Sequence, residues 1–538
     1  NKCYYNFKFE KPSLFQIEFA IFTKNSIEMR QFTFLFFIGI LISLSSCRTD
    51  FETIPSTGDL KFSKDTIYLD TVFTNIGSST YTLKVYNHSK NDITIPTIQL
   101  GKGLASKYRM TVDGMQGNQG KIFNNVNLLA KDSLYIFIET TANIADANPI
   151  DFLYTDQIQF DGGSNLQKVE LVTLIQDAVF LYPKKNSDGT TETLPIGDEE
   201  IYGFYLDPND PVNGNELKFT NKKPYVIYGY AAVPSGKTVT FDPGARVHFH
   251  ANSGLILANN ASINVNGSVS TTDKLENEVI FEGDRLEPDF ADVPGQWGAI
   301  WLTDGSTNHK INHLTIKNAA IGLLIQNNNG TTVDIKNTQI YNSSNYGILA
   351  QTAKINGENL VINNAGLGSL ACTYGGDYKF THCTFNNNWN SSNQVALLVN
   401  NYFTGAVPEV KDLTAATFNN CIIYGSYSNE LILDKNPDAS FVYQFNNCLI
   451  KFDDIRTGDK NYALYEFIRN EKSGNIKSKD GINTPKFYKA NLNQLNIDET
   501  SAAFQKGNTI YRIPKDILGN TRTLPPDLGA YQSKAFPK

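Results

Sequence analysis

The chain has 538 residues, a formal net charge of −7 and a pI near 5.5. The length leaves room for roughly two to four domains, and the acidic balance argues against nucleic acid and offers no basic surface to anionic lipid. Thirty-four Phe, 27 Tyr and 39 Gly stand against only three Met, a composition that leans towards strands and turns and predicts an all-β protein.

The first methionine is Met29, followed by RQFTFLFFIGILISLSSC. A single Arg30, an apolar core from Phe32 to Leu44 and small residues before Cys47 read as a signal peptide, because the apolar core is short for a membrane span. The tetrad Leu44-Ser45-Ser46-Cys47 resembles a bacterial lipobox, which implies lipidation at Cys47, a membrane partner through the lipid and a place at the outer membrane or cell surface. Residues 1–28 are then expected to be translated upstream sequence, 29–46 the signal peptide and 47–57 a tether. Asp50 and Glu52 resemble the surface-export signal of Bacteroidota lipoproteins.

From 58 to 180 the text alternates in DTIYLDTVF, STYTLKVYN, NDITIPTIQL, DSLYIFIETT and QKVELVTLIQ. Period-two runs broken by Gly, Asn and Ser turns predict a β-sandwich. The stretch DTVFTNIGSSTYTLKVYNHSKNDITIPTIQL resembles the Ig-like domains that follow the anchor in many Bacteroidota envelope proteins, which implies a spacer. His88 reads as a turn residue. Residues 181–222 are rich in Pro, Gly, Asn and Asp without periodicity and read as a linker or a surface-laid connection.

A repeat follows. His313, Asn337, Asn359, His382, Asn420 and Asn447 each precede an apolar residue by three places: Ile316, Ile340, Ile362, Phe385, Ile423 and Ile450. A period near 23 residues, with longer insertions, marks stacked coils. The residues are β-branched, aromatic and Asn, without a helical pattern, so a parallel β-helix over 223–480 is expected rather than leucine-rich repeats. Alternation puts Leu314, Thr338, Leu360, Cys383, Cys421 and Cys448 on one inward column. The three cysteines then stack as small hydrophobes, a disulfide between neighbouring coils being the alternative. Asn at the corners suits hydrogen-bonded ladders and left-handed turns.

The opening KPYVIYGYAAVPSGKTVTFDPGARVHFHANSGLILANNASINVNG and the motif GQWGAIWL resemble rungs of pectate-lyase-like right-handed parallel β-helix proteins. The stretch TSAAFQKGNTIYRIPKDILGNTRTLPPDLGAYQ, within 481–538, resembles the closing segment of secreted members, at Gly519, Arg522, Asp527, Gly529 and Tyr531. The resemblance speaks to fold and leaves activity open.

Lyases of that kind need a base and a calcium-held uronide, and glycosidases need paired carboxylates about 5–9.5 Å apart. Along the repeat Asp334 and Glu358 stand singly, with Asp453 and Asp454 at the last coil, and the Gly-His-Gly and Arg-Ile-Lys triplets of galacturonidases are absent. No catalytic residue is assigned. Glu282, Asp284, Glu287, Asp289 and Asp292 in FEGDRLEPDFADVPGQW are hard enough donors for calcium, a solvated acidic loop being the alternative; no other cofactor is implied. Trp297, Trp301 and Trp389 are candidates for stacking on sugar rings. His248 and His250 share a face but lack further zinc or copper ligands. Two functions remain open: a non-catalytic envelope lipoprotein whose β-helix binds glycan or another surface component, or a polysaccharide lyase or glycoside hydrolase with an unrecognised site.

Overall fold

The computed structural model describes residues 52–537 except 329, 406 and 454–462. Cys47 and the leader therefore lie outside the described residues. The protein is all-β and dominated by two large parallel sheets.

Residues 54–176 form a six-stranded and a four-stranded sheet. Strands such as Ile93–Leu100 and Ser133–Thr140 bury alternate residues. The inward rows of both sheets meet in one cluster that includes Leu69, Val85, Ile95, Ile136, Phe160 and Leu171. Period-two text therefore makes two-faced strands here, one face apolar.

Beyond residue 178 the chain builds an 11-stranded and a 17-stranded sheet around a second core. A typical coil gives one strand to the first sheet and two to the second: Leu314–Lys317, then Ala319–Gln326 and Val333–Lys336, and back with Gln339–Ser343; in the next two coils the pair is fused into single strands, Tyr346–Glu358 and Gly368–Thr381. Ile316, Ile340, Ile362, Phe385, Ile423 and Ile450 pair strand to strand in that order, so the repeat spacing read from sequence is the pairing register. The six residues preceding them by three places all have left-handed backbone, with φ between 47° and 54°. Asn tolerates that region better than branched residues do. Their side chains bond from coil to coil, Asn359 Nδ2 to Asn337 Oδ1 and Asn337 Nδ2 to Asn312 Oδ1, each at 2.9 Å.

Cys383, Cys421 and Cys448 are free and fully buried on three successive coils. The backbone N–H of Ile422 donates to Cys383 O at 2.9 Å, and that of Leu449 to Cys421 O at 2.9 Å.

Two segments depart from the sequence reading. Residues 181–222 are not a free linker. Strands Glu199–Tyr205 and Lys218–Phe219 pair in the 17-stranded sheet, and Phe204, Leu206, Leu217 and Phe219 belong to the core. Lys218–Phe219 is too short to show a period, and Glu199–Tyr205 does not bury alternate residues, so neither leaves a periodic window to read. The second departure is the expected closing segment, which lies along the outer flank of the 11-stranded sheet rather than at its end. Leu495, Ile517, Ala530 and Tyr531 pack on Tyr341 and Val361, while Ile497, Ala503 and Leu528 pack on Ile422 and Leu449. Gly529 passes so close, at φ 82°, that a Cβ there would lie 2.6 Å from Thr384 Oγ1. Arg522, buried beside it, donates to Asn359 Oδ1 at 2.8 Å and Ala530 O at 3.0 Å.

Candidate functional site

With its partner flank covered by 495–531, the 17-stranded sheet presents an outer face of unusual composition. Ile256, Trp301, Leu324, Leu349, Ala371, Leu398 and Ile432 pair in register as one row on the side of the sheet away from the core; Ile256, packed with Leu194 and Ala232, and Ala371 are buried, and the other five are accessible. Their neighbours on the same strands, among them Ile300, Leu302, Leu323, Ile325, Leu397 and Val399, are buried in the core. These strands are thus apolar on both faces, whereas a solvated outer face is ordinarily polar. From Trp301 to Ile432 the row climbs five strand spacings, about 24 Å at ~4.8 Å each.

Two residues further along each strand runs a polar row containing Gln326, Gln351, Thr373, Asn400 and Asp434. Trp301 donates its indole N–H to Gln326 Oε1 at 2.7 Å, and Gln326 Nε2 donates to Gln351 Oε1 at 2.9 Å. Around the half-exposed Trp301 ring lies a cavity of about 340 Å³, lined by Ile196, Tyr205, Ile256, Asn259 and Gln326 among others. The far end is walled by a hairpin, Tyr402–Thr404 with Pro408–Val410. Tyr402 donates to Asp434, and that hydrogen bond pushes the Tyr402 phenol up to about 12. The Tyr374 and Phe403 rings lie 6.2 Å apart beside it.

The carboxylates near this face are held individually: Glu358 by Lys336 at 3.0 Å, Asp377 by Lys354 at 3.3 Å, and Asp334 by Asn356 Nδ2 at 3.2 Å. The arrangement offers aromatic and aliphatic surface next to a line of amides and hydroxyls. Chemically, that combination is suited to a ligand with C–H faces and hydroxyl edges.

The three tryptophans do not act together. Trp297 is fully buried, stacks on Phe249 at 4.3 Å between ring centres and donates to Lys317 O at 2.8 Å. It is a core residue, which corrects its reading as a sugar contact. Trp389 is half-buried in the loop between Thr384–Asn387 and Val395–Asn400, outside the row, with its backbone N–H on Asn387 Oδ1 at 3.1 Å.

Nor do the five acids of the 282–292 loop converge. Glu282 faces Lys317 at 3.6 Å, Asp284 takes His250 Nδ1 at 2.7 Å, Glu287 takes Arg285 at 3.0 Å, and Asp292 accepts from Asn342 Nδ2 at 3.0 Å. Asp289 sits in the short turn Pro288–Phe290. Among the described residues no three His, Cys, Asp or Glu side chains gather closely enough to hold a metal. The loop instead meets the N-terminal domain, where Arg285 Nη2 donates to Ser79 Oγ at 3.0 Å. His248 shares a face with His250, opposite the core residues Val247 and Phe249, but the N-terminal domain covers it: its ring lies 5.0 Å from Phe73, and burial lowers its pKa.

The apolar row escaped the sequence reading, although its signal is present. IGLLIQ, YGILAQ, GSLACT, VALLVN and ELILD each carry an apolar residue between two inward ones.

No protein-family model matches the chain, and no curated protein matches it. Among solved structures, a family 123 glycoside hydrolase from Clostridium perfringens, described for glycolipid glycan hydrolysis, is 8% identical over 22% of this chain and 26% of its own, with a TM-score of 0.16. A PapD-like domain of human CEP192 is 13% identical over 23% of this chain and 90% of that one, with a TM-score of 0.15. The catalytic domain of a GH87 α-1,3-glucanase in complex with nigerose is 10% identical over 70% and 81%, with a TM-score of 0.15. The chain spans about a quarter of the length of the first. TM-scores this low do not establish a shared fold.

Proposed function

We propose that this chain is a surface lipoprotein of the Bacteroidota type, anchored through Cys47, which holds a glycan along the outer face of its 17-stranded sheet without cleaving it. In this reading the two parallel sheets are walls of a right-handed parallel β-helix, and the two sheets of 54–176 form an Ig-like sandwich that carries it away from the anchor. Support for the solenoid comes from the in-register return of the chain to the 11-stranded sheet and from the left-handed Asn and His column.

One observation carries the binding reading: the outward row from Trp301 to Ile432 bordered by the hydrogen-bonded Trp301–Gln326–Gln351 line. Burying a half-exposed aromatic ring and a strip of aliphatic side chains favours association, and the adjacent amides set orientation. Carboxylates held one by one on separate neighbours support holding over hydrolysis, which needs two acting on one bond.

The test is electrophoresis of the purified chain through gels containing neutral glucans, xylan, mannan or polygalacturonate. Polygalacturonate reactions are followed in parallel by ultraviolet absorbance for unsaturated products. Retardation without product growth is expected. Unsaturated product formation would replace binding with the lyase alternative, and free migration in every gel would remove the glycan reading.

A further inference from the structure

Strand Ser133–Thr140 of the four-stranded sheet turns Leu134, Ile136 and Ile138 into the core and Tyr135, Phe137 and Glu139 outward. Tyr135 and Phe137 are 45% and 42% exposed, large values for aromatic side chains on a domain read as a spacer. Their rings lie 6.4 Å apart and within 12° of parallel. Lys84 Nζ covers the Tyr135 ring at 5.1 Å. Phe137 instead borders a cavity.

The cavity exists because residues 113–121 double back over strand Tyr108–Val112. Left-handed backbone at Asp113, Gly114, Gly117, Gln119 and Gly120 permits the reversal, and Met110 N donates to Gly120 O at 2.7 Å to hold it. The space measures about 310 Å³ and is lined by Arg109, Thr111, Gln116, Gln119, Phe137 and Glu139 among others. That volume falls at the small end of ordinary ligand pockets, about 300–1,000 Å³.

Its chemistry is selective. Arg109 neutralises Glu139 through Nε at 2.8 Å and Nη2 at 2.6 Å, so an ionic ligand finds no uncompensated charge in this pair. Gln116 and Gln119 have exposed amides that can each donate and accept. Thr111 and Thr82 flank Phe137 on the neighbouring strands. A ring face beside two amides and hydroxyls matches a molecule with one C–H face and a hydroxyl edge.

We propose that this cavity is a second saccharide site, on the N-terminal domain, which takes one or two neutral pyranose units against Phe137 with Gln116 and Gln119 bonding their hydroxyls. It stands apart from the Trp301 row and does not depend on it. Joined on one chain, two weak sites gain avidity for a polymer long enough to reach both.

Saturation-transfer NMR on the full chain tests the proposal, with cellohexaose, laminarihexaose, xylohexaose and mannohexaose as probes and trigalacturonate as the charged control. Trp301→Ala is used to remove the other site. In that variant at least one neutral hexaose should still receive transfer, and trigalacturonate none. Adding Phe137→Ala should weaken that signal at least tenfold, and so should Gln116→Ala with Gln119→Ala, which leaves the core untouched and stands in should Phe137→Ala unfold the domain. Absence of transfer from every hexaose in the Trp301→Ala chain overturns the proposal. Transfer that persists unchanged in the amide variant overturns it too. Signal lost with Trp301 alone would leave the sheet-face reading intact while removing this one.

Discussion

Trp301 and Gln326, on neighbouring strands, share a hydrogen bond from indole Nε1 to Oε1 at 2.7 Å. The polar edge of the ring is therefore held by protein, and its half-exposed carbon surface is what a ligand meets. Trp301→Ala should lower glycan affinity in retardation gels at least tenfold while costing the fold about 1–2 kcal/mol. Gln326→Ala should give a smaller loss. Retardation unchanged in both variants would move the site elsewhere.

Arg522 ties the flanking C-terminal segment to the sheet through Asn359 Oδ1 and Ala530 O, and burial pulls its pKa down to about 10. Arg522→Met should cost about 2–4 kcal/mol, since two acceptors lose a charged donor in a buried place. The denaturant midpoint measures it, and limited proteolysis should cut first beyond residue 480. A variant as stable and as protease-resistant as the parent would make the segment a passive cover.

The cysteine column offers a cleaner core test. Cys421→Ser places a hydroxyl between Cys383 and Cys448 and should destabilise by about 1–3 kcal/mol without affecting sugar binding. A melting temperature identical to the parent's would contradict the burial.

Glu430 is fully buried, and desolvation pushes its carboxyl up to about 7 although Tyr427 N at 2.6 Å and Ala396 N at 2.8 Å donate to it. In an unfolded chain the group titrates near 4.3. The folded state therefore binds the extra proton between those values. The associated stability is full below about pH 4 and is lost as pH rises through about 7, on the order of 3 kcal/mol. Glu430→Gln should flatten that part of the stability–pH curve. A variant whose slope matches the parent's would exclude Glu430 as its source.

The acidic loop yields a metal prediction that separates the two readings its sequence leaves open, a calcium site and a solvated loop. Because Asp284, Glu287 and Asp292 each engage a separate neighbour, chelator should leave the melting temperature unchanged. A site saturated with calcium at 100 times its dissociation constant would instead contribute about 2.7 kcal/mol. Calorimetric scans with and without chelator separate the two.

The sequence by itself determined the coil register and the corners. Ile316, Ile340, Ile362, Phe385, Ile423 and Ile450 could be aligned because strand alternation is local and a one-residue slip would turn every side chain to the wrong face. The Asn and His column was legible for a similar reason: left-handed backbone selects residue types at single positions. Tertiary structure decided the features those local rules do not reach. Trp297 and Trp301 are four residues apart, so strict alternation puts both on one face. The register shifts between Ala299 and Ile300 against the next strand, and an irregularity of that kind reverses the parity of the residues beyond it. One tryptophan is thereby buried against Phe249 and the other stands half-exposed at the head of the outer row. The flank covered by residues 495–531 depends on contacts such as Arg522 with Asn359, 163 positions apart. Pairing at that separation is set by which surfaces fit once the coils have stacked, and no spacing along the chain encodes it.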